Sequence, residues 1–585
     1  MVAFSSFALE LEGQKFMNAR STVVIVCGDD IEEPEANETL IYLSPIVAWR
    51  RSVSDKSNLL FGNFSPDEDL ASDADQALYA HIETCLMRER EFYRDRRWWP
   101  LAYRRVVGRM SRYRWMKMCI SQILTTFAPQ AVKLSSGNDT ELVMATATVC
   151  KERGLRFDAL DGAMNEPLNI DFMIRHTGLP LKIDPKWLNY LKSWFWRFFC
   201  RSASLMYEPY WNLQLCSNAD AYPIKLNRLV AVMASVHLKF SKTIFRTGRD
   251  ASSYYELWDD EVKPEILTEK IWREHFSDDE MVLISQLLGT FMKEFPSSAM
   301  DRAGMMIKTF LKERSVRSVL LMHDKQDSCR LLAWAAHSLG LQVDYLPHGI
   351  IFEDASGRAS PTPFSPDRIL SWNQDSADAF KKYGWRAESV AHPHFQKPAL
   401  PFKRLERDKT NMKVLILLAD WVYLTEVGRE DCTWVWYREI VDALNTMGIR
   451  AENVCVKLHQ LPTDSASHYL SLIAQIDSLF DYKPRLVAHT KRLQDLIKDF
   501  DLVIGGLTTG IYECALHGVP FVLYGMSAKR VQLLSKLEIP HAKDTRELMS
   551  TITEYDNEAG SQVSAALISS LRSGRDILEV SSNYR

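Results

Sequence analysis

The sequence predicts an α/β protein in which parallel strands alternate with helices. Short apolar runs typical of buried strands are followed by a turn and then by helical spacing, as in residues 130–160 and 501–525. The alternation occurs on both sides of a proline-containing, charged segment at residues 398–411. Parallel strands need crossover connections, and 585 residues exceed one hydrophobic core. These observations predict two doubly wound, Rossmann-like domains joined by a linker.

The first predicted domain is interrupted. Apolar strands are predicted at residues 22–27 and 39–43, followed by a strand–helix–strand unit over residues 130–160. Residues 163–300 lose this alternation and predict a mainly helical insertion. Strands at 317–322, 342–346 and 368–371 are then expected to complete the sheet. The predicted domains are therefore 1–162 and 301–397 for the first Rossmann-like domain, with 163–300 as its insertion, 398–411 as the linker and 412–585 as the second Rossmann-like domain.

Composition restricts the class of protein. The formal net charge of −4 and the isoelectric point near 6.4 argue against a dedicated nucleic-acid-binding protein. The ten cysteines include no CxxC pair, and no histidine cluster has metal-ligand spacing, so we expect reduced thiols and no metal. There is no basic leader before a long apolar core and no run of about 18 apolar residues, so we expect a cytoplasmic protein.

A possible anion-binding turn lies in DLVIGGLTTGIYECALHGVPFVLYG, residues 501–525. Gly505 and Gly506 permit a tight turn after an apolar strand, and the hydroxyls of Thr508 and Thr509 are expected to cap the next helix. The first helical amides would then face a phosphate. Glu513, one turn further on, is placed to hold ribose hydroxyls. The alternative is an ordinary strand–helix–strand crossover.

A second segment, VCVKLHQLPTD at residues 454–464, carries a family resemblance. It is similar to the strand-end segment of bacterial sialyltransferases, polysialyltransferases and teichoic-acid polymerases, which have the GT-B fold of two Rossmann-like domains. Their His-Pro pair is spread here over His459 and Pro462. The resemblance implies that His459, together with Thr508 and Thr509, contacts the phosphate of a CMP- or CDP-type donor. Lys457 would add a second positive charge.

Candidates for the general base come from the first domain. VDYLPHGIIFED, residues 343–354, resembles the His-Gly turn of surface-polysaccharide transferases, which implies that His348 is a base or an acceptor ligand; alternatively it only caps the turn. Asp161 in FDALDGAM resembles the acidic base motif of bacterial sialyltransferases, with Leu160 in place of the first acid. Asp324 and Asp139 are competitors, and each acid is alternatively a cap or turn residue.

One aromatic and basic segment suggests a membrane contact. Residues 186–201 contain WLNYLKSWFWRFF with flanking lysine and arginine, as expected for a helix at a membrane surface near lipid-linked acceptors. The alternative is a helix buried between domains.

Together these features predict a GT-B glycosyltransferase related to sialyltransferases and Kdo transferases. We expect metal-independent, inverting transfer to a glycan or lipid-linked glycan acceptor, without a cofactor. A CMP-linked ulosonic sugar is the favoured donor. The sequence shows no GxxxxGK[ST] loop, no complete GxGxxG and no convincing DxD pair. The alternatives are a CDP-polyol phosphotransferase of the teichoic-acid polymerase type and a noncatalytic two-domain assembly protein.

Overall fold

The structure is a computed structural model. It describes residues 22–27, 38–43, 45–51, 59–64, 78, 81, 82, 99–135, 140–159, 203–207, 270–294, 308, 311, 312, 316–321, 327–347, 366–382, 385–405, 409, 411–418, 430–458, 463–487, 491–506, 508–525 and 537–575. The described strands form three sheets, and all of their pairings are parallel. The protein is therefore of the α/β class, as predicted.

The first sheet has the strand order β3-β2-β1-β4-β5. Its core residues come from short apolar runs such as TVVIV, in which four of five residues are buried. Its strands are β1 (Thr22–Val26), β2 (Glu38–Tyr42), β3 (Leu59–Leu60), β4 (Ala131–Leu134) and β5 (Arg156–Ala159). The accompanying helices are α1 (Pro45–Arg51), the 3₁₀ turn Phe61–Phe64, α2 (Trp99–Phe127) and α3 (Thr140–Arg153).

The second sheet has the order β10-β9-β8-β7-β6, so each strand pairs with its predecessor among these five. Its strands are β6 (Ala203–Tyr207), β7 (Val316–Leu321), β8 (Gln342–Tyr345), β9 (Arg368–Ser371) and β10 (Ala387–Ser389). The described helices of this part are α4 (Lys270–His275), α5 (Asp278–Glu294), α6 (Asp327–His337), α7 (Gln374–Lys382) and the 3₁₀ turn Pro393–Gln396.

The third sheet has six strands in the order β13-β12-β11-β14-β15-β16. They are β11 (Val414–Leu418), β12 (Val454–Leu458), β13 (Arg485–Leu486), β14 (Leu502–Gly505), β15 (Phe521–Tyr524) and β16 (His541–Ala542). The helices are α8 (Glu430–Thr446), α9 (Thr463–Ser478), α10 (Leu493–Leu496), α11 (Gly510–His517), α12 (Thr545–Thr553) and α13 (Asn557–Arg572), with 3₁₀ turns at Ala451–Asn453 and Ile497–Asp499.

The third sheet is buried on both faces, which explains why β11 and β12 are continuous apolar runs rather than alternating ones. The side chains of Val414, Ile416 and Leu418 belong to one cluster with Tyr437 and Leu444 of α8. The intervening residues of each strand point to the opposite face, because successive strand side chains alternate.

The sheet pairing differs from the prediction for the first half of the chain. Strands β7, β8 and β9 do not complete the sheet of residues 22–159; among the described strands they form a separate sheet. Its edge strand β6 lies within 163–300, which was predicted to be mainly helical, and most of that segment is outside the described residues. The predicted domain boundaries stay predictions.

The chain groups into two compact units that are discontinuous in sequence. One contains residues 1–78, 108–169 and 399–567, and hence the first and third sheets. The other contains residues 79–107, 170–398 and 568–585, and hence the second sheet. In neither unit does a described helix have both the length and the apolar character needed to cross a membrane.

Candidate anion-binding edge of the third sheet

The third sheet reverses its strand order between β11 and β14. From β11 the chain moves outward through β12 to β13, then returns to β14 and moves outward the other way. This order is that of the dinucleotide-binding Rossmann fold, and ligands of open α/β sheets bind outside the carboxyl ends of the strands at such a reversal. The predicted glycine-hydroxyl turn directly follows β14, so it lies at this position.

The hydrogen-bond register aligns three residues across this edge. Lys457 on β12 is opposite Leu417 on β11, and Leu417 is opposite Gly505 on β14. Residues in register on neighbouring parallel strands point to the same face. A Cβ on Gly510, the first residue of α11, would lie 3.0 Å from Leu417 Cδ1. Helix α11 therefore begins over the face to which Lys457 points.

Gly505 is required by the close approach of β14 to β11. A Cβ at this position would lie 2.8 Å from the carbonyl oxygen of Leu417 and 3.0 Å from its Cβ. A larger residue would push the two central strands apart at the point where the sheet order reverses. The glycine therefore serves strand packing, in addition to the turn formation that the sequence suggested.

The turn before α11 differs from the predicted cap. Thr509 occupies the N-cap position with helical dihedral angles (φ −53°, ψ −21°), and its side chain makes no capping hydrogen bond. Instead the Gly510 amide donates to Thr508 Oγ1 at 3.4 Å. The amides of Ile511 and Tyr512 donate to the carbonyl oxygens of Thr508 and Thr509, both at 3.1 Å.

This hydrogen bonding corrects the prediction that the first helical amides are free to face a phosphate. The amides of Gly510, Ile511 and Tyr512 already have acceptors within the turn. An anion at this end of α11 would still benefit from the positive end of the helix dipole. Its direct hydrogen bonds would have to come from other donors, such as a threonine hydroxyl or a cationic side chain.

Lys457 is the cationic side chain at this edge. Only 5 % of its surface is exposed, and its Nζ donates to the carbonyl oxygen of Leu458 at 3.3 Å. That contact directs the ammonium toward the carboxyl end of β12. Burial lowers the pKa of Lys457 to about 8, because removal from water disfavours the charged form. The sequence suggested Lys457 only as an additional charge and did not predict its burial.

Glu513 is half-buried on α11. Its carboxylate lies 4.0 Å from Nε2 of His517, one turn later on the helix, and 18 % of its side chain is exposed. The ribose contact assigned to Glu513 stays a prediction. Gly506, which follows β14 directly, is half-buried.

The predicted membrane segment, residues 186–201, lies outside the described residues, and so do the remaining predicted site residues, Asp139, Asp161, Asp324, His348 and His459. Their positions along the chain follow strands of three different sheets. Asp161 comes two residues after β5, Asp324 and His348 come three residues after β7 and β8, and His459 directly follows β12. The structure therefore does not test whether they meet.

Trp372 and His392 were not selected from the sequence, yet they contact each other at the described end of the second sheet. Trp372 Nε1 donates to the carbonyl oxygen of Pro347, the residue before His348. The ring of His392 packs on that of Trp372 at a centroid distance of 4.2 Å, and both residues are buried. Trp372 thus fixes the backbone at Pro347. Its position directly after β9 was the available signal.

No family model and no curated protein matches this chain. Among solved structures, it is similar to UDP-GlcNAc 2-epimerase of Methanocaldococcus jannaschii, with 10 % identity, a TM-score of 0.32 and coverage of 46 % of this chain and 80 % of the other. Acinetobacter baumannii MurG has 11 % identity and a TM-score of 0.30, with coverage of 50 % of this chain and 78 % of the other. Staphylococcus aureus MnaA has 9 % identity and a TM-score of 0.33, with coverage of 47 % of this chain and 77 % of the other. Likeness at this level carries no functional assignment, which therefore depends on the site.

Proposed function

We propose that the protein is a glycosyltransferase of the GT-B type that takes a nucleotide-activated sugar as donor. The observation that carries the proposal is the carboxyl edge of the third sheet. There the strand order reverses, a glycine permits close strand approach, and a buried lysine points to the face on which α11 begins. A cation at the carboxyl end of β12 and a helix N-terminus after β14, on the same edge of the sheet, suit a phosphate.

The donor would be held mainly by its phosphate. Lys457 would supply positive charge, and the hydroxyls of Thr508 and Thr509 would supply hydrogen bonds at the start of α11. His459, which directly follows β12, would neutralise charge as the sugar–phosphate bond breaks. Glu513 would contact the ribose. These groups would stabilise the leaving phosphate without a metal.

A CMP-linked ulosonic sugar is our favoured donor, and the support for it is the sequence resemblance of residues 454–464. Transfer needs a base to deprotonate the acceptor hydroxyl. Asp161, Asp324 and His348 are the proposed candidates. We propose a glycan or lipid-linked glycan as acceptor and a membrane contact through residues 186–201.

A nucleotide screen tests this function. The melting temperature of the purified protein should rise with one of CMP, CDP, UDP and GDP, because a ligand that binds only the native state stabilises it. At 100 times Kd the gain is about 2.7 kcal/mol. CMP should give the largest shift, and an upward shift only with UDP or GDP would replace the proposed donor.

Variants connect the screen to the site. Thr508→Val and Thr509→Val together should reduce the shift, whereas Thr553→Val, at the last residue of helix α12, should leave it unchanged. Absence of a shift with all four nucleotides would contradict the proposal. Analysis of the product for a glycosidic bond rather than a phosphodiester separates sugar transfer from polyol-phosphate transfer.

A further inference from the structure

Lys457 is a buried cation without a described counter-ion. Its side chain extends from strand β12 of the third sheet and is almost fully buried. Its one described hydrogen bond is to a carbonyl oxygen. An ammonium has three donors, and a charge buried with one neutral acceptor is poorly compensated. An anionic ligand at this edge would compensate it.

Among the described residues, several other charged side chains of the elements on this face have partners of their own. They do not contribute to the lowered pKa of Lys457. In the described part of the chain no charge or hydrogen bond shifts it, and burial is the cause. The pairs are Arg485 with Cys455 Sγ at 3.2 Å, Arg492 with Asp495 at 2.8 Å, and His517 with Glu513 at 4.0 Å. No described carboxylate therefore holds Lys457 in its charged form.

We propose that Lys457 is the counter-ion of the donor phosphate and that the phosphate binds together with one proton, which this amine takes up. The inference rests on the proposed function in that the phosphate belongs to a nucleotide. It adds a regulatory property of the same site, namely that donor affinity decreases in alkaline solution.

The direction follows from linkage between proton and ligand. In the free protein the buried amine loses its proton as the pH rises through about 8. A bound phosphate favours the charged form and raises the pKa of Lys457. The contribution of this amine to donor affinity is then constant below this pH and decreases up to tenfold per pH unit above it, until the pKa of the bound form is reached.

Isothermal titration calorimetry in two buffers of different ionisation enthalpy measures the proton directly. We use CMP, or whichever of CDP, UDP and GDP binds best. Wild-type protein should take up most of a proton per nucleotide at pH 8.5 and far less at pH 7, given an amine pKa of about 8. Phosphate and histidine titrate near 6 to 6.5, so at pH 8.5 they contribute little.

Three variants isolate the amine. Lys457→Met removes the charge at similar length, and Lys457→Arg retains a charge that does not titrate. Both should lose the uptake at pH 8.5, and Lys457→Met should bind nucleotide at least tenfold more weakly at pH 7. Lys413→Met, an exposed residue before β11 at the opposite edge, is the matched control and should behave as wild type. Urea unfolding of Lys457→Met should show a midpoint no lower than that of wild type, which establishes that it folds.

The outcomes separate this inference from the proposed function. If a nucleotide binds but proton uptake is absent, or persists in Lys457→Met, the inference is wrong and the proposed function stands. If no nucleotide binds, the proposed function fails, and sodium pyrophosphate becomes the probe. Pyrophosphate binding with an uptake that Lys457→Met abolishes supports a proton-linked phosphate site at Lys457 without a nucleotide donor, whereas no binding of pyrophosphate overturns the site as well.

Discussion

At the scale of single residues, the third sheet depends on positions where a side chain is absent. Gly518 ends α11 in the left-handed region at φ +64°, and a Cβ there would collide with the carbonyl oxygen of Pro401. The Leu400 amide donates to Leu516 O at 2.8 Å, and the Lys403 amide donates to Gly518 O at 2.7 Å. The segment that precedes β11 thus crosses the end of α11, and only glycine leaves room for it.

Gly518→Ala should therefore lower the free energy of unfolding by about 2–4 kcal/mol, because it combines backbone strain with the loss of these contacts. Gly448→Ala is the matched control. Gly448 has φ +74°, but a Cβ there meets nothing within 4 Å, so about 1 kcal/mol of strain is expected. Urea unfolding of both variants measures the difference, and equal losses would show that Pro401 does not restrict this position.

At the scale of elements, a buried ion-pair network connects three adjacent strands of the second sheet. Arg368 on β9 donates to Asp344 on β8 at 2.8 Å and to Glu388 on β10 at 3.4 Å. Asp344 and Arg368 are almost fully buried. Burial raises the pKa of Asp344, although its hydrogen bond and charge interaction with Arg368 act in the opposite direction. Arg368 therefore opposes the rise in the pKa of Asp344 that burial causes.

Arg368→Met should lower stability by about 3–5 kcal/mol at neutral pH, because one partner of a buried pair is left alone. Without Arg368, the pKa of Asp344 in the folded state rises further above its unfolded value near 3.9. A raised folded pKa means that the folded state holds the proton more tightly, so the loss is smallest at low pH and grows as the pH rises toward the folded pKa.

The double variant Arg368→Met, Asp344→Asn supplies the comparison. Near pH 4 the double variant and Arg368→Met should be similarly stable. At pH 7 the double variant should be the more stable of the two, since asparagine carries no charge. Thermal unfolding of both proteins across this range measures the difference. A difference that does not change with pH would mean that the pKa of Asp344 in folded Arg368→Met equals its value in the unfolded chain.

Element types were predictable where apolar periodicity and turn residues agree. For the segment from β14 to β15, the sequence predicted a strand, a glycine turn, a helix ending at His517-Gly518 and a second strand, and the structure confirms this order. The expected capping by both threonines holds only in part. Thr508 Oγ1 accepts a hydrogen bond from the Gly510 amide, whereas the side chain of Thr509 makes no capping hydrogen bond, because capping depends on backbone dihedral angles that composition does not specify. The burial of Lys457 was not predictable either, since it depends on what covers that face of the sheet.

At the scale of the whole molecule, strand pairing was the least predictable feature. A buried parallel strand looks the same in sequence whichever sheet it joins, so the strands before residue 160 and after residue 316 were assigned to one sheet. The hydrogen bonds place them in two. The unit that contains the second sheet also includes residues 568–585, so the chain leaves this unit after residue 398 and returns to it within α13.

The returning segment makes specific contacts within its unit. The His392 amide donates to Leu571 O at 2.9 Å, and Arg575 forms a parallel bridge with Val390 directly after β10. Arg572 donates to the carbonyl oxygens of Phe395 and Lys397. A Cβ on Gly574 would collide with the backbone of Val390. The backbones at Gly574 and Val390 are therefore in direct contact, with no room for a side chain between them. The last described residues thus continue the edge of the second sheet.

Two truncations test this role. Removing residues 573–585 deletes the bridge at Arg575, whereas removing residues 576–585 keeps it. Comparison of the two truncated proteins therefore isolates the effect of residues 573–575. We expect the shorter protein to expose residues 387–398, because the edge strand β10 loses its neighbour and its amide partners. Limited proteolysis with mass spectrometry should show cleavage in that segment at least several-fold faster than in the longer truncation. Equal cleavage rates would mean that α13 alone holds the edge, and that the hydrogen bonds of Arg572 suffice.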